Sequence, residues 1–98
     1  MPRTVLLATK DLFFRAKLQA IVQAAGAEVT RSEPCDLAVV ELGAGRIAVL
    51  RQLVEKGTVV LAFGSHIEPE DLREARKLGA RAVPNSEIES ALRALLSA

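Results

Sequence analysis

The chain has 98 residues, half of them apolar and 26% charged, with a formal net charge of +1. That length fits one domain with a single modest core, and that balance excludes a disordered chain. A charge so near zero gives no general basic field, which argues against direct nucleic-acid binding or attachment to an anionic membrane.

Thr4-Val5-Leu6-Leu7-Ala8 is a short apolar run, predicted as a buried first strand. Beyond it Phe14, Leu18, Ile21 and Ala25 recur at helical spacing, while Arg15, Lys17, Gln19 and Gln23 fill the other faces. Thr9 or Asp11 can cap this helix, and Gly26 suits the position after its end. Residues 27–30 read as a weak second strand, and residues 31–35, containing Pro34, carry no helical signal.

Asp36-Leu37-Ala38-Val39-Val40-Glu41 is a near-continuous run of strand formers flanked by acids, which predicts a central strand buried on both faces. Gly43-Ala44-Gly45 loosen the chain before a helix with Ile47, Leu50, Leu53 and Val54 inward, ended by Gly57. Residues 58–63 form another buried strand leading into Gly64-Ser65-His66. The next helix carries Pro69 in its first turn, Glu68, Glu70 and Asp71 at its positive end, and Arg76 and Lys77 at its negative end. Its inward residues are Leu72, Ala75 and Leu78, and Gly79 stops it. Residues 81–83 make a short last strand, broken by Pro84-Asn85. Ser86 and Glu89 have the spacing of a capping box for a final helix with Ile88, Leu92 and Leu95 inward.

Strands alternating with helices imply an α/β domain with a parallel sheet, spanning residues 1–98. Cys35 is the only cysteine, so no internal disulfide or cysteine-based zinc site can form, and a reducing compartment fits. No apolar stretch approaches the roughly 20 residues needed to cross a bilayer, and the N-terminus lacks a signal-peptide h-region, so a cytoplasmic protein is expected.

This layout resembles the receiver domain of two-component response regulators, the chemotaxis-protein type of flavodoxin-like fold. The resemblance is carried by the length of the first strand–helix unit ending at Gly26, by the Asp-Leu-x-x-x-acid pattern of residues 36–41, and by Leu78-Gly79-Ala80. It implies a doubly wound, parallel five-stranded sheet in the order 2-1-3-4-5. Receivers hold Mg²⁺ with an acidic pair after the first strand, and those positions fall on Thr9 and Lys10. A hydroxyl and an ammonium cannot replace two carboxylates around a hard cation. The phosphoacceptor aspartate falls on Glu41, one methylene longer. The family's Ser/Thr after the fourth strand falls on Gly64, with Ser65 beside it, and its lysine falls near Asn85 or Ser86. Phosphoryl transfer rests on positioning and charge stabilisation by such parts. The resemblance therefore implies a degenerate pseudo-receiver that is not an enzyme and uses no catalytic residue, metal or cofactor.

Receivers also place a helix between the second and third strands, where only residues 30–35 are available. A parallel crossover ordinarily takes a dozen or more residues. At ~3.3–3.6 Å per residue these few could run back across one short strand as an extended link, unless the second strand is frayed or differently paired. That helix is expected to be missing, leaving part of one sheet face without cover and available for a partner.

Lys10 and Glu41, on neighbouring strands, could form an ion pair in place of the metal. The leading expectation is a protein–protein interaction module in signalling, binding a protein partner or a second copy through residues 69–78 and 86–96 or the thinly covered face. The alternative is a domain that binds a small ligand or phosphate anion at the carboxyl edge. Its residues would be Thr9, Lys10, Glu41, Gly43, Gly45, Ser65, His66, Asn85 and Ser86, with Lys10, Gly43 and Gly45 on the anion. The cluster Arg73, Arg76, Lys77 and Arg81 reads as a solvated helix face, His66 as a helix-entry residue and Cys35 as a small buried apolar group.

Overall fold

The structure, a computed structural model, describes residues 3–43, 46–65, 67 and 69–97. Its elements are β1 (Thr4–Ala8), α1 (Leu12–Ala24), β2 (Glu28–Thr30), β3 (Leu37–Glu41), α2 (Ile47–Glu55), β4 (Val59–Gly64), α3 (Pro69–Lys77), β5 (Arg81–Pro84), a 3₁₀ turn (Asn85–Glu87) and α4 (Ile88–Leu96). All neighbouring strands are parallel, in the order β2-β1-β3-β4-β5. This is the flavodoxin-like architecture that the alternation of elements implies. Residues 31–36 join β2 to β3 without a helix.

Period-two alternation along the strands divides the core into two layers. Val5, Leu7, Leu37, Val39, Leu61, Phe63 and Val83 face α1 and α4, where Leu18, Ile21, Val22, Ile88, Leu92 and Leu96 meet them. Ala38, Val40, Val60, Ala62 and Ala82 face α2 and α3, where Leu50, Leu53, Leu72 and Ala75 complete the second layer. Residues 37–40 have no exposed surface, so β3 is the strand buried on both faces. Phe63, also without exposed surface, meets Phe14 at a ring-centroid distance of 5.3 Å. Burying a side chain of this size contributes about 1.5–3 kcal/mol.

Asp11 caps α1: its Oδ1 accepts from the N–H of Phe13 at 2.9 Å and of Phe14 at 3.2 Å. The capping box at Ser86 does not form. Asn85–Glu87 already turn as a 3₁₀ segment, so Ser86 lacks the extended backbone an N-cap needs, and Glu87 enters α4 without a side-chain cap. The inward stripe of α4 is Ile88, Ala91, Leu92 and Leu96, with Leu95 half-buried. In the basic cluster, Arg76 is tied into the fold: its Nε and Nη2 donate to the Ala82 carbonyl at 3.2 and 2.8 Å.

The sheet face that the missing helix would cover is partly covered. Leu6 and Ala8 are half-buried, and among the described residues the exposed large apolar side chains are Leu12, Phe13, Val49, Val59 and Ile67, none of them on β1 or β2. Cys35, in the link, joins Leu6 and Ala8 on the second core layer. Arg46, at the start of α2, reaches across to donate from Nη1 to the Ala8 carbonyl at 2.9 Å. Lys56 of the segment after α2 pairs with Glu33 of the link at 3.0 Å. The short link and one arginine thus do part of a helix's covering work.

Candidate functional site

Parallel strands place their carboxyl ends along one edge, and in open α/β sheets that edge is where ligands meet the fold. Glu41 closes β3 there and is half-buried. Its Oε1 accepts from the Thr9 hydroxyl, from the Lys10 N–H at 3.0 Å and from the Asp11 N–H at 3.3 Å. The Thr9 hydroxyl oxygen also accepts from the Asp11 N–H at 3.3 Å, and Thr9 is buried. One carboxylate oxygen therefore staples the turn between β1 and α1.

The side-chain ion pair between Lys10 and Glu41 is absent. The salt bridges among the described residues are Lys17–Glu89 and Lys56–Glu33, and Lys10 is exposed. The turn already delivers backbone donors to the carboxylate, whereas fixing a long lysine side chain would cost rotamer entropy. Lys10 meets Glu41 through its main chain.

Beside this staple, Glu41, Leu42, Gly43, Gly64, Ser65, Asp71 and Asn85 line a recess of about 320 Å³. Among the described residues two carboxylates and no basic side chain line it. The Ser65 hydroxyl accepts from the Ile67 N–H at 3.1 Å. Gly43 has a φ of +99°, in the left-handed region that favours glycine. Ser86 is exposed and does not line the recess, while Gly45 and His66 lie outside the described residues. Leu42 stands against Gly64: a Cβ on Gly64 would lie 3.3 Å from Leu42 Cβ and 3.6 Å from its Cδ1. No motif announces this contact, which joins two strand ends in space. Asp71 reads in the sequence only as a helix-end charge.

The set at the turn does not fit a hard cation. Thr9 uses its hydroxyl hydrogen on Glu41, Lys10 brings a positive side chain, and Asp11 Oδ1 is engaged in capping α1. Among the described residues no three His, Cys, Asp or Glu side chains converge as a metal site.

At the opposite edge Asp36 Oδ2 accepts from the N–H groups of Arg3 and Thr4 at 2.9 and 3.1 Å. These bonds hold its carboxyl below the usual carboxylate range. Burial, then the charges of Glu33 and Asp36, push the neighbouring Cys35 thiol up. A thiol kept protonated is a poor nucleophile.

No protein-family model and no curated protein matches the chain. Solved structures do match it. The beryllium-fluoride-activated receiver domain of DrrB, a Thermotoga maritima regulator, superposes with a TM-score of 0.82 at 15% identity, over 99% of this chain and 96% of that one. The orphan response regulator HP1043 of Helicobacter pylori gives 0.74 at 20% identity, over 97% and 91%. A response regulator protein of Burkholderia multivorans gives 0.65 at 26% identity, over 100% and 97%. The chain has the receiver fold.

Within that receiver frame Glu41 ends the third strand and Gly64 the fourth, and Asn85 follows the fifth. The structure brings together Thr9, the Lys10 main chain and Glu41, and groups Gly43, Gly64, Ser65 and Asn85 around the recess. Among the described residues no helix of this receiver fold is long and apolar enough to cross a membrane.

Proposed function

We propose that this chain is a pseudo-receiver, a signalling domain over residues 1–98 that does not accept a phosphoryl group and works by binding another protein or itself. The observation that supports this most is the engagement of Glu41 Oε1 by three donors of the β1–α1 turn. A nucleophilic carboxylate must be free to approach phosphorus, and the charge that develops needs a cation beside it. Here one oxygen is committed to the fold, and the positions for a metal carry a threonine and a lysine. Among the described residues the recess next to it has no basic side chain to stabilise a transferred group. The anion-binding alternative draws no support from a recess faced by Glu41 and Asp71.

The test is incubation with acetyl phosphate and Mg²⁺, followed by intact-mass measurement and peptide mapping. The mass is expected to stay unchanged under conditions that label a competent receiver. A phosphoryl adduct mapped to Glu41 would overturn the reading.

A further inference from the structure

α1 and α4 lie side by side on one face of the sheet, and between them runs a groove of about 650 Å³. Its floor is Ile21 and Leu96, and α1 lines it further with Ala20, Ala24 and Ala25. At one end Lys17 pairs with Glu89 at 3.7 Å, and Arg93 stands further along α4. Among the described residues Arg93 has no acidic partner within salt-bridge distance. Phe13 sits one helical turn before the groove and is 65% exposed, with the Lys17 ammonium 4.3 Å from its ring centroid. A large exposed apolar knob thus stands at one end of a groove whose other end is walled by alanines.

We infer that this face binds a second copy of the chain across a two-fold axis, so that Phe13 of each protomer enters the partner's groove at Ala20 and Ala24. A two-fold reverses one face against the other, which brings the knob end of each groove to the alanine end of its mate. The same rotation sets Arg93 opposite the partner's Glu89, an acid within reach of an arginine that pairs with none among the described residues of its own chain. Both pairings share one axis. The Lys17–Glu89 contact puts α1 and α4 in step, and the midpoints of Phe13–Ala24 and Glu89–Arg93 then fall within about one residue of the same level. A face two helices wide and ~20 Å long is at the small end of specific interfaces, so the dimer is reversible and concentration-dependent. This deepens the self-binding part of the interaction reading and rests on it. Phosphoryl labelling of Glu41 would defeat the pseudo-receiver reading without touching this dimer, so the two failures are distinguishable.

The test uses the full chain in a Cys35→Ala background, with Phe13→Cys and Ala24→Cys as separate variants. Within one chain these positions are about 16 Å apart along α1, too far for a disulfide. Oxidation of the mixed variants is expected to give cross-linked dimers, and either variant alone is expected to give few. Sedimentation velocity of the natural chain should show dimer growing with concentration, and Ala20→Arg should remain monomeric with an unchanged circular dichroism spectrum. A natural chain that stays monomeric, an Ala20→Arg variant that dimerises equally well, or cross-linking of Phe13→Cys alone as efficient as the mixture would each overturn the inference.

Discussion

Glu41 and Gly64 show how single residues decide what the carboxyl edge can do. The length of the glutamate lets its carboxylate fold back onto Thr9 and the N–H groups of residues 10 and 11. Gly64, in turn, is small because Leu42 stands against it. Its backbone is not in the left-handed region, so the constraint is packing rather than conformation. A Cβ would stand 3.3 Å from Leu42 Cβ, which would have to give way, and 3.8 Å from Leu72 Cδ2, an ordinary van der Waals distance. Restoring a receiver-like hydroxyl with Gly64→Thr is therefore expected to destabilise the fold by about 1–3 kcal/mol, the usual cost of overpacking. Urea denaturation measures it. Adding Leu42→Ala should recover part of the loss, because neighbouring substitutions that share a contact are not additive. A Gly64→Thr variant as stable as the natural chain would show that Leu42 does not constrain the site.

At the scale of elements, the junction of β1 and β3 depends on more than strand pairing. Asp36 precedes β3, accepts from two N–H groups at the start of β1, and donates its own N–H to the Thr4 carbonyl at 3.0 Å. Because its carboxyl is held low in the fold, the unfolded chain takes up this proton at a higher pH than the folded one. The stabilisation is fully present above the ordinary carboxylate range and is lost as pH falls through the folded value. Asp36→Asn keeps an oxygen acceptor but removes the charge. Its stability deficit against the natural chain should be largest near neutrality and shrink from about pH 5 downward. A deficit that does not change with pH would remove Asp36 from the acid limb.

The same elements show what was legible beforehand. The alternation of apolar runs with helical periods was enough for the element order, and counting residues 30–35 was enough for the missing helix. The reading of residue 36 as strand missed its role as a clamp, since an acid before an apolar run does not reveal which N–H groups it meets. Ser86 had the right spacing for a cap but the wrong backbone. The placing of Glu41 was legible, whereas its partners were not: two of the three donors are main-chain N–H groups, which any residue at positions 10 and 11 would offer.

For the whole molecule, the absent helix raises the question of what protects one side of the sheet. Residues 31–36 are too few to bury much surface, yet Cys35, like Leu6 and Ala8, packs against the second core layer, Lys56 holds Glu33, and Arg46 spans to β1. These contacts tie the link to the segment after α2 and the start of α2 to β1, so the cover is part of the tertiary structure rather than a local turn. Cys35 is a built-in reporter of it. In the fold its thiol is pushed up, first by burial and then by Glu33 and Asp36, so its thiolate is scarcer than in the unfolded chain. Alkylation by iodoacetamide near pH 8 should accordingly be slower in the native protein than in urea-unfolded chain, where both burial and the fixed neighbouring charges are gone. Lys56→Ala removes the tie to Glu33 at the surface, and such a pair contributes only ~0–1 kcal/mol, so global stability should change little. A faster thiol reaction in that variant without a matching loss of stability would locate the opening in the link. Equal rates in the native and unfolded natural chain would mean that the link does not cover this face in solution.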